Sequence, residues 1–122
     1  MARYVDGFLI PVPRKNLAAY KKMAQKACKV WMEYGALEYY ECVGEDLAQK
    51  KMMTFPKQLK TKPGETVVFA WIVYKSKKQR DQVNKKLMKD PRLLEMMDPE
   101  NHPFDVKRMV YGGFDVIVEA TR

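Results

Sequence analysis

The chain has 122 residues, 47% of them hydrophobic, so its length favours one domain and its composition excludes intrinsic disorder. Its formal net charge of +8 permits an anionic partner such as a nucleic acid, but lysine-rich solvated helices give the same excess. No apolar run approaches the roughly 20 residues of a membrane-spanning helix. No stretch has the pattern of a signal peptide. A cytoplasmic protein without a membrane partner is therefore expected.

The first third of the chain predicts a strand followed by a helix. Residues 3–12 alternate as a strand does, and prolines end the run. The next stretch begins at Arg14 or Asn16 and ends at Tyr34. Its apolar residues recur at spacings of three and four, which predicts a helix with one apolar side. Gly35 is suited to the left-handed conformation that ends a helix.

Residues 37–46 predict a second strand, and their glutamates indicate an edge position, since charges there discourage pairing with other chains. Residues 47–65 are long for a connection in a compact domain. This segment is either an excursion pinned by Met53 and Phe55 or a flexible flap over a site. Its lysines repel one another, so trypsin is expected to cut first in this segment, after Lys57, Lys60 or Lys62.

The run TVVFAWIVYK, residues 66–75, is β-branched or aromatic at almost every position and predicts a third strand. Both of its faces are apolar, which indicates burial on both sides and a central place in the sheet. Ser76 is expected to cap a second helix at residues 77–89. Residues 92–97 add a further turn or two.

A proline-rich loop over residues 98–105 precedes a fourth strand at residues 112–120. The order βαββαβ predicts a ferredoxin-like α+β fold with a four-stranded antiparallel sheet. Strands one and three lie at its centre. Both helices lie on one face, because the crossovers are right-handed. Residues 1–122 are expected to form a single domain.

Two helices cover only one face of such a sheet, so the other face is predicted to expose apolar side chains. The helix side is assigned to a set that includes small residues, which let helices approach closely: Val5, Gly7, Leu9, Val68, Ala70 and Ile72. The open side is then assigned to Phe8, Ile10, Phe69, Trp71 and Val73. This set exceeds the apolar patch that a monomer normally exposes. It predicts a homodimer whose subunits are related by a twofold axis.

Asp6 is the first candidate for a ligand-binding residue, because an aspartate on a central strand is costly unless it is paired. Its partner is either Arg108 or a tyrosine hydroxyl, or Asp6 itself serves as a general base or ligand anchor. Trp71 is either ordinary core or a flat surface on which a ligand stacks. Tyr40 and Glu41 are the candidates for the rim of this pocket.

Other chemistry has few candidate residues. His102 is the only histidine, so a nucleophile–histidine site or a haem would depend on it, and the simpler interpretation is an exposed loop residue. Cys28 is interpreted as buried and inert. Two cysteines, Cys28 and Cys42, are too few for a disulfide framework. Together with the one histidine they are also too few for a zinc site unless acidic residues contribute ligands. No metal, cofactor or catalytic residue is predicted, and enzymatic activity stays open.

Four runs, YVDGFLIPVP, GALEYYECVGED, FAWIVYKSKKQRDQVNKKLMKDPR and PFDVKRMVYGGF, resemble the YbaA-like family of small uncharacterised bacterial proteins. The resemblance covers nearly the whole chain and is weakest across residues 49–65. It implies a ferredoxin-like fold that pairs as a dimeric α/β-barrel. It implies no catalytic residues, because the family has no established activity.

Two functions remain open at this point. The preferred one is a homodimer that binds a small molecule, with its pocket between sheet and helices or inside the dimer. The alternative is a basic interaction protein that contacts RNA or another anionic partner without catalysis, through the lysines of its helices and of residues 47–65. No RNA-binding motif supports a nucleic-acid partner, and a steep salt dependence of binding would distinguish the alternative.

Overall fold

The computed structural model describes residues 2–96 and 102–122. These residues contain four strands: β1 (Tyr4–Pro13), β2 (Glu38–Val43), β3 (Glu65–Tyr74) and β4 (Val110–Asp115). They also contain the α-helices α1 (Leu17–Glu33), α2 (Phe55–Leu59), α3 (Lys77–Leu87) and α4 (Pro91–Met96), with 3₁₀ turns at Arg14–Asn16 and Val106–Arg108.

The strands form one antiparallel sheet in the order β2-β3-β1-β4. The prediction of a ferredoxin-like α+β fold, with strands one and three at its centre, is therefore confirmed. The sheet is open, with β2 and β4 at its edges.

Local sequence explains where the helices begin and end. Gly35 follows α1 with φ +112°, a conformation that residues with a Cβ rarely adopt, so the chain turns there as predicted. The hydroxyl of Ser76 accepts a hydrogen bond from the backbone N–H of Gln79 at 3.1 Å and caps α3.

The pairing of β1 with β3 fixes which side chains share a face of the sheet. Phe8 lies opposite Ala70, and Ile10 lies opposite Val68. Directly opposed residues project to the same side. The assignment of Phe8 and Ile10 to the face of Phe69, Trp71 and Val73 is therefore wrong. The same register moves Val5, Gly7 and Leu9 from the helix side to the open side.

The core lies between the helices and the face that carries Phe8. One cluster packs Tyr4, Ile72 and Tyr74 of the sheet against Val30 of α1, Val83 and Leu87 of α3, and Leu93 of α4. A second cluster packs Ile10, Val12, Val68 and Ala70 against Tyr20 and Ala24 of α1. The helices therefore cover this face, and the opposite face carries Val5, Leu9, Phe69, Trp71 and Val73.

The fourth strand is shifted from its predicted place at residues 112–120. It begins at Val110 and ends at Asp115, which lies opposite Tyr4, the first residue of β1. Beyond that point β1 offers no further residues, and the chain adds one hydrogen bond from Val116 to the carbonyl of Arg3. Apolar alternation predicted the strand but did not reveal where its partner begins.

Residues 47–65 contain the helix α2, which was not predicted. The Thr54 side chain accepts a hydrogen bond from the Lys57 N–H at 3.3 Å and caps this helix. Phe55 and Leu47 border a cavity of about 190 Å³ together with Leu9 and Val67. The excursion thus covers one end of the open face. Met53 is 72% exposed and does not pin the segment.

The predicted loop at residues 98–105 lies partly outside the described residues. So does residue 97, the end of the predicted turns at 92–97, of which α4 is the described part. Within residues 2–96 and 102–122, no helix has the length and apolar character needed to cross a membrane.

Candidate functional site

A cavity of about 500 Å³ lies between the helix-covered face of the sheet and the elements packed on it. Its apolar wall comes from the sheet, from α1, from the α3–α4 region and from the segment before β4. The sheet contributes Phe8, Ile10, Ala70 and Ile72, and α1 contributes Met23, Ala27 and Trp31. The other apolar residues of the wall are Leu87, Met88, Leu93, Met96, Phe104, Val106 and Met109. Ala27 and Ala70 present only a methyl group to the cavity, whereas most of their neighbours in the wall carry large side chains. Of these apolar wall residues, Met88 and Val106 are the most exposed, at 62% and 44%.

The polar side chains of the wall are Glu41, Tyr20, Tyr39, Asn84 and His102, and the first three form one hydrogen-bonded group. Glu41 lies opposite Ala70 in the sheet, so its side chain projects toward the helices. The Tyr20 hydroxyl donates a hydrogen bond to Glu41 Oε1 at 2.7 Å, and the Tyr39 hydroxyl donates one to Oε2 at 2.7 Å. Each carboxylate oxygen thus accepts one phenolic hydrogen at the cavity wall.

Burial raises the pKa of Tyr20 and of Tyr39 well above the usual value, and the neighbouring charge of Glu41 raises both further. Both phenols therefore stay protonated at physiological pH and act as donors, which leaves Glu41 as the acceptor. Burial first, and Glu41 second, also raise the pKa of the half-buried Cys28 thiol. Cys28 is thus a poor nucleophile, although it is half-buried and not buried as expected.

His102 lies at the same cavity, which the expectation of an exposed loop histidine did not anticipate. Its Nδ1 atom is buried and has no hydrogen-bond partner among the described residues. The His102 ring packs edge-on against Phe104 with ring centroids 5.5 Å apart, and Phe104 packs edge-on against Tyr20 with centroids 5.6 Å apart. The Asn16 side chain holds this segment by donating a hydrogen bond to the carbonyl of Pro103 at 3.0 Å.

Asp6 belongs to a separate buried ion pair and does not line the cavity. Its exposed fraction is 2%, and Arg80 Nη1 donates to its Oδ1 at 2.9 Å. Arg80 also donates to the Tyr111 hydroxyl at 2.6 Å. The expected partner Arg108 instead binds both oxygens of Glu65, at 2.7 and 2.9 Å. Burial raises the pKa of Asp6, and the Arg80 guanidinium opposes that rise.

Tyr40 and Trp71 lie on the open face, away from the cavity. Their rings stack with centroids 4.8 Å apart, and Phe69 packs on Trp71 at 5.1 Å. Successive residues of a strand project to opposite faces, so Tyr40 and Glu41 cannot rim one pocket. The four predicted ligand residues are thus divided among the cavity (Glu41), the ion pair (Asp6) and the open face (Tyr40 and Trp71).

Four polar residues of the cavity were not predicted from the sequence: Tyr20, Tyr39, Asn84 and His102. Strand alternation could have indicated Tyr39, because Tyr39 and Glu41 are two residues apart on β2 and share a face of the sheet, whereas Tyr40 lies on the other face. Tyr20 lies on the apolar side of α1, where a hydroxyl needs a buried acceptor. No group of three or more histidine, cysteine, aspartate or glutamate side chains suited to a metal ion occurs within residues 2–96 and 102–122.

Comparisons with known proteins place the chain among relatives of the same length. Residues 3–106 match the family described as "Protein of unknown function (DUF1428)". The chain is 45% identical over 117 residues to "Uncharacterized protein YbaA" of Escherichia coli strain K12, covering 96% of this chain and 98% of that protein. The protein of the same name from Shigella flexneri gives the same values.

A solved structure supports the fold. The crystal structure of a dimeric ferredoxin-like protein from an uncultured marine organism superposes with a TM-score of 0.62, covering 98% of this chain and 100% of that chain. The two sequences are 12% identical, so this likeness shows the fold alone.

Proposed function

The chain belongs to the DUF1428 family of unknown function and is a relative of YbaA, so we propose a function from its own geometry. We propose that the protein is a homodimer that binds a small, largely apolar molecule between sheet and helices. The observation that carries the proposal is the cavity of about 500 Å³. Ligand sites in proteins measure about 300–1,000 Å³ and combine apolar walls with a few convergent polar groups. The polar groups here are Glu41 with its two tyrosines, His102 and Asn84.

The homodimer part of the proposal rests on the opposite face of the sheet. Phe69, Val110 and Phe114 are 47%, 48% and 61% exposed there, beside the stacked Tyr40 and Trp71. Contiguous apolar groups of this size on a soluble protein typically mark an interface. Pairing through this face leaves the cavity accessible, because the cavity lies on the other side of the sheet.

An apolar fluorophore tests the binding function. Nile red is titrated into the parent and into Ala27→Phe, in which a phenyl ring replaces the methyl group and fills part of the cavity. We expect the parent to bind the dye with a saturable rise in fluorescence, and Ala27→Phe to weaken this binding at least about tenfold. Ala19→Phe places the same side chain on the exposed part of α1 and is the matched control.

The open face also offers apolar surface to the dye, so Phe69→Glu serves as a second control. Dye binding that Phe69→Glu abolishes and Ala27→Phe leaves intact would contradict a ligand site in the cavity. Absence of saturable binding by the parent would contradict it as well.

The second candidate function is contact with an anionic partner. Its support is the exposed side of α1, which carries Lys21, Lys22, Lys26 and Lys29. Such a partner would bind outside the cavity, and its affinity would fall steeply between low and moderate salt because counterions are released. Binding of an apolar ligand in the cavity depends little on salt, so a salt titration separates the two candidates.

A further inference from the structure

We propose that the ligand of the cavity carries a protonated amine which donates hydrogen bonds to Glu41, and that carboxylate and phosphate ligands are excluded. The inference rests on the proposed binding function and names the class of molecule that the site takes. It runs against the overall charge of the protein, which is +8.

Glu41 has acceptor capacity left after its contacts with the protein. A carboxylate offers about four lone-pair sites, and the Tyr20 and Tyr39 hydroxyls occupy one on each oxygen. Both phenols are committed as donors, since burial raises their pKa values well above the usual range. The remaining acceptor sites belong to a side chain of the cavity wall.

No side chain neutralises this carboxylate in the part of the chain that the structure describes. The ion pairs found there join Arg3 to Glu38, Arg80 to Asp6 and Asp81, Arg92 to Glu33 and Asp90, and Arg108 to Glu65, and none includes Glu41. The described residues that line the cavity include no lysine or arginine. A charge in an apolar cavity is costly without a partner. A ligand cation supplies that partner, and its attraction to Glu41 is stronger than in water because the surroundings are apolar.

An anionic ligand meets the opposite conditions. It would lie near the charge of Glu41, and the Tyr20 and Tyr39 hydroxyls are already engaged as donors to that residue. The other polar side chains of the wall are Asn84 and His102, and neither is a lysine or an arginine. The basic groups of α1 project outward and offer it no counterion within the cavity. The rest of the ligand is apolar, because methionine and aromatic side chains such as Met23 and Phe104 surround the polar group. Flexible methionines adapt to the shape of an apolar body.

Three ligands with one aromatic body test the inference: 1-naphthylmethylamine, 1-naphthylmethanol and 1-naphthoic acid. Isothermal titration calorimetry at pH 7 is expected to give the highest affinity for the amine, at least about tenfold above the alcohol, because a hydrogen bond to a charged group is worth more than a neutral one. The acid is expected to bind weakest. Glu41→Gln keeps the size of the side chain but removes its charge, and should bring the amine to the affinity of the alcohol.

Glu38→Gln is the matched control, because Glu38 lies on the same strand but projects to the opposite face, and it should leave all three affinities unchanged. If Glu41→Gln fails to fold, the ranking of the three ligands on the parent still decides. Equal affinities for amine and alcohol, or an acid that binds best, would overturn the inference and leave the binding function intact. If none of the three ligands nor Nile red binds the parent, the binding function itself fails.

Discussion

Asp6 and Arg80 show how one buried pair holds the sheet to α3. Their side chains are 3% and 13% exposed, and the guanidinium also lies over the Tyr4 ring at 4.9 Å. Removing one partner of such a pair leaves an uncompensated charge in the interior. We expect Arg80→Met to lower the free energy of unfolding by roughly 3–5 kcal/mol at pH 7, as measured by urea denaturation. Arg3→Met, which breaks the exposed pair with Glu38, should cost about 1 kcal/mol or less.

The effect of Arg80→Met should also depend on pH. Burial raises the pKa of Asp6 above 3.8, so the stability that its neutral form contributes is complete below that value and is lost as pH rises through the folded pKa. Without Arg80 the pKa rises further. The difference between parent and variant should therefore be smallest near pH 4 and grow toward pH 7. A difference that does not change with pH, or no recovery in the double variant Asp6→Asn/Arg80→Met, would contradict this account.

The sequence predicted which side chains of one strand share a face of the sheet. It did not predict which faces of two neighbouring strands coincide. The alternation of β1 correctly groups Tyr4, Asp6, Phe8 and Ile10. It does not say whether this group shares a face with Ala70 or with Trp71, because that depends on register, and a shift by one residue exchanges the faces. The prediction chose Trp71 by side-chain size, and the structure pairs Phe8 with Ala70.

The same limit explains how far the candidate site was predictable. Glu41 was identified, but Tyr20 and His102 line the same cavity only because of how α1 and the segment after residue 101 pack on the sheet. The partner of Asp6 was expected to be Arg108 or a tyrosine hydroxyl, and the structure supplies Arg80. Arg80 lies on the helix that was predicted at residues 77–89, yet its contact with β1 depends on how α3 crosses the sheet, which periodicity does not determine.

Hydrogen bonds anchor the segment between β2 and β3 near its C-terminal end, whereas its start is weakly anchored. Lys60 follows α2, and its carbonyl accepts a hydrogen bond from Arg108 at 3.2 Å. By contrast, Lys50 and Lys51 are exposed, and within the described residues their backbone makes no backbone hydrogen bond. We therefore expect limited trypsin digestion to cut first after Lys50 or Lys51. This differs from the sites after Lys57, Lys60 and Lys62 that composition alone indicated.

Mass spectrometry of the first fragments checks this order of cleavage. Lys50→Gln/Lys51→Gln should slow the first cut, whereas Lys57→Gln should not. A first cut after a lysine of α1 or α3 would show that the segment is better anchored than its backbone contacts indicate.

At the scale of the whole molecule, the two faces of the sheet differ in what covers them. The helix-covered face holds the core and the cavity, and the open face keeps Val5, Leu9, Phe69 and Trp71 on its surface. The excursion through Phe55 covers only one end of that open face. A stable dimer buries about 800 Å² per partner, and the face of a four-stranded sheet is the surface from which this chain can supply it.

We therefore expect the parent to have about twice the mass of 14.3 kDa by light scattering at micromolar concentration. Phe69→Glu places a charge among the exposed apolar groups and should give a folded monomer, since the side chain is 47% exposed and lies outside the core. Phe8→Ala is the informative contrast, because Phe8 lies one strand away but faces the helices. Because Phe8 is half-buried, the substitution should lower the free energy of unfolding by about 3 kcal/mol, the low end for phenylalanine, and leave the folded fraction dimeric. A well-folded monomeric parent would rule out the dimer, and dissociation caused by Phe8→Ala but not by Phe69→Glu would place the interface elsewhere.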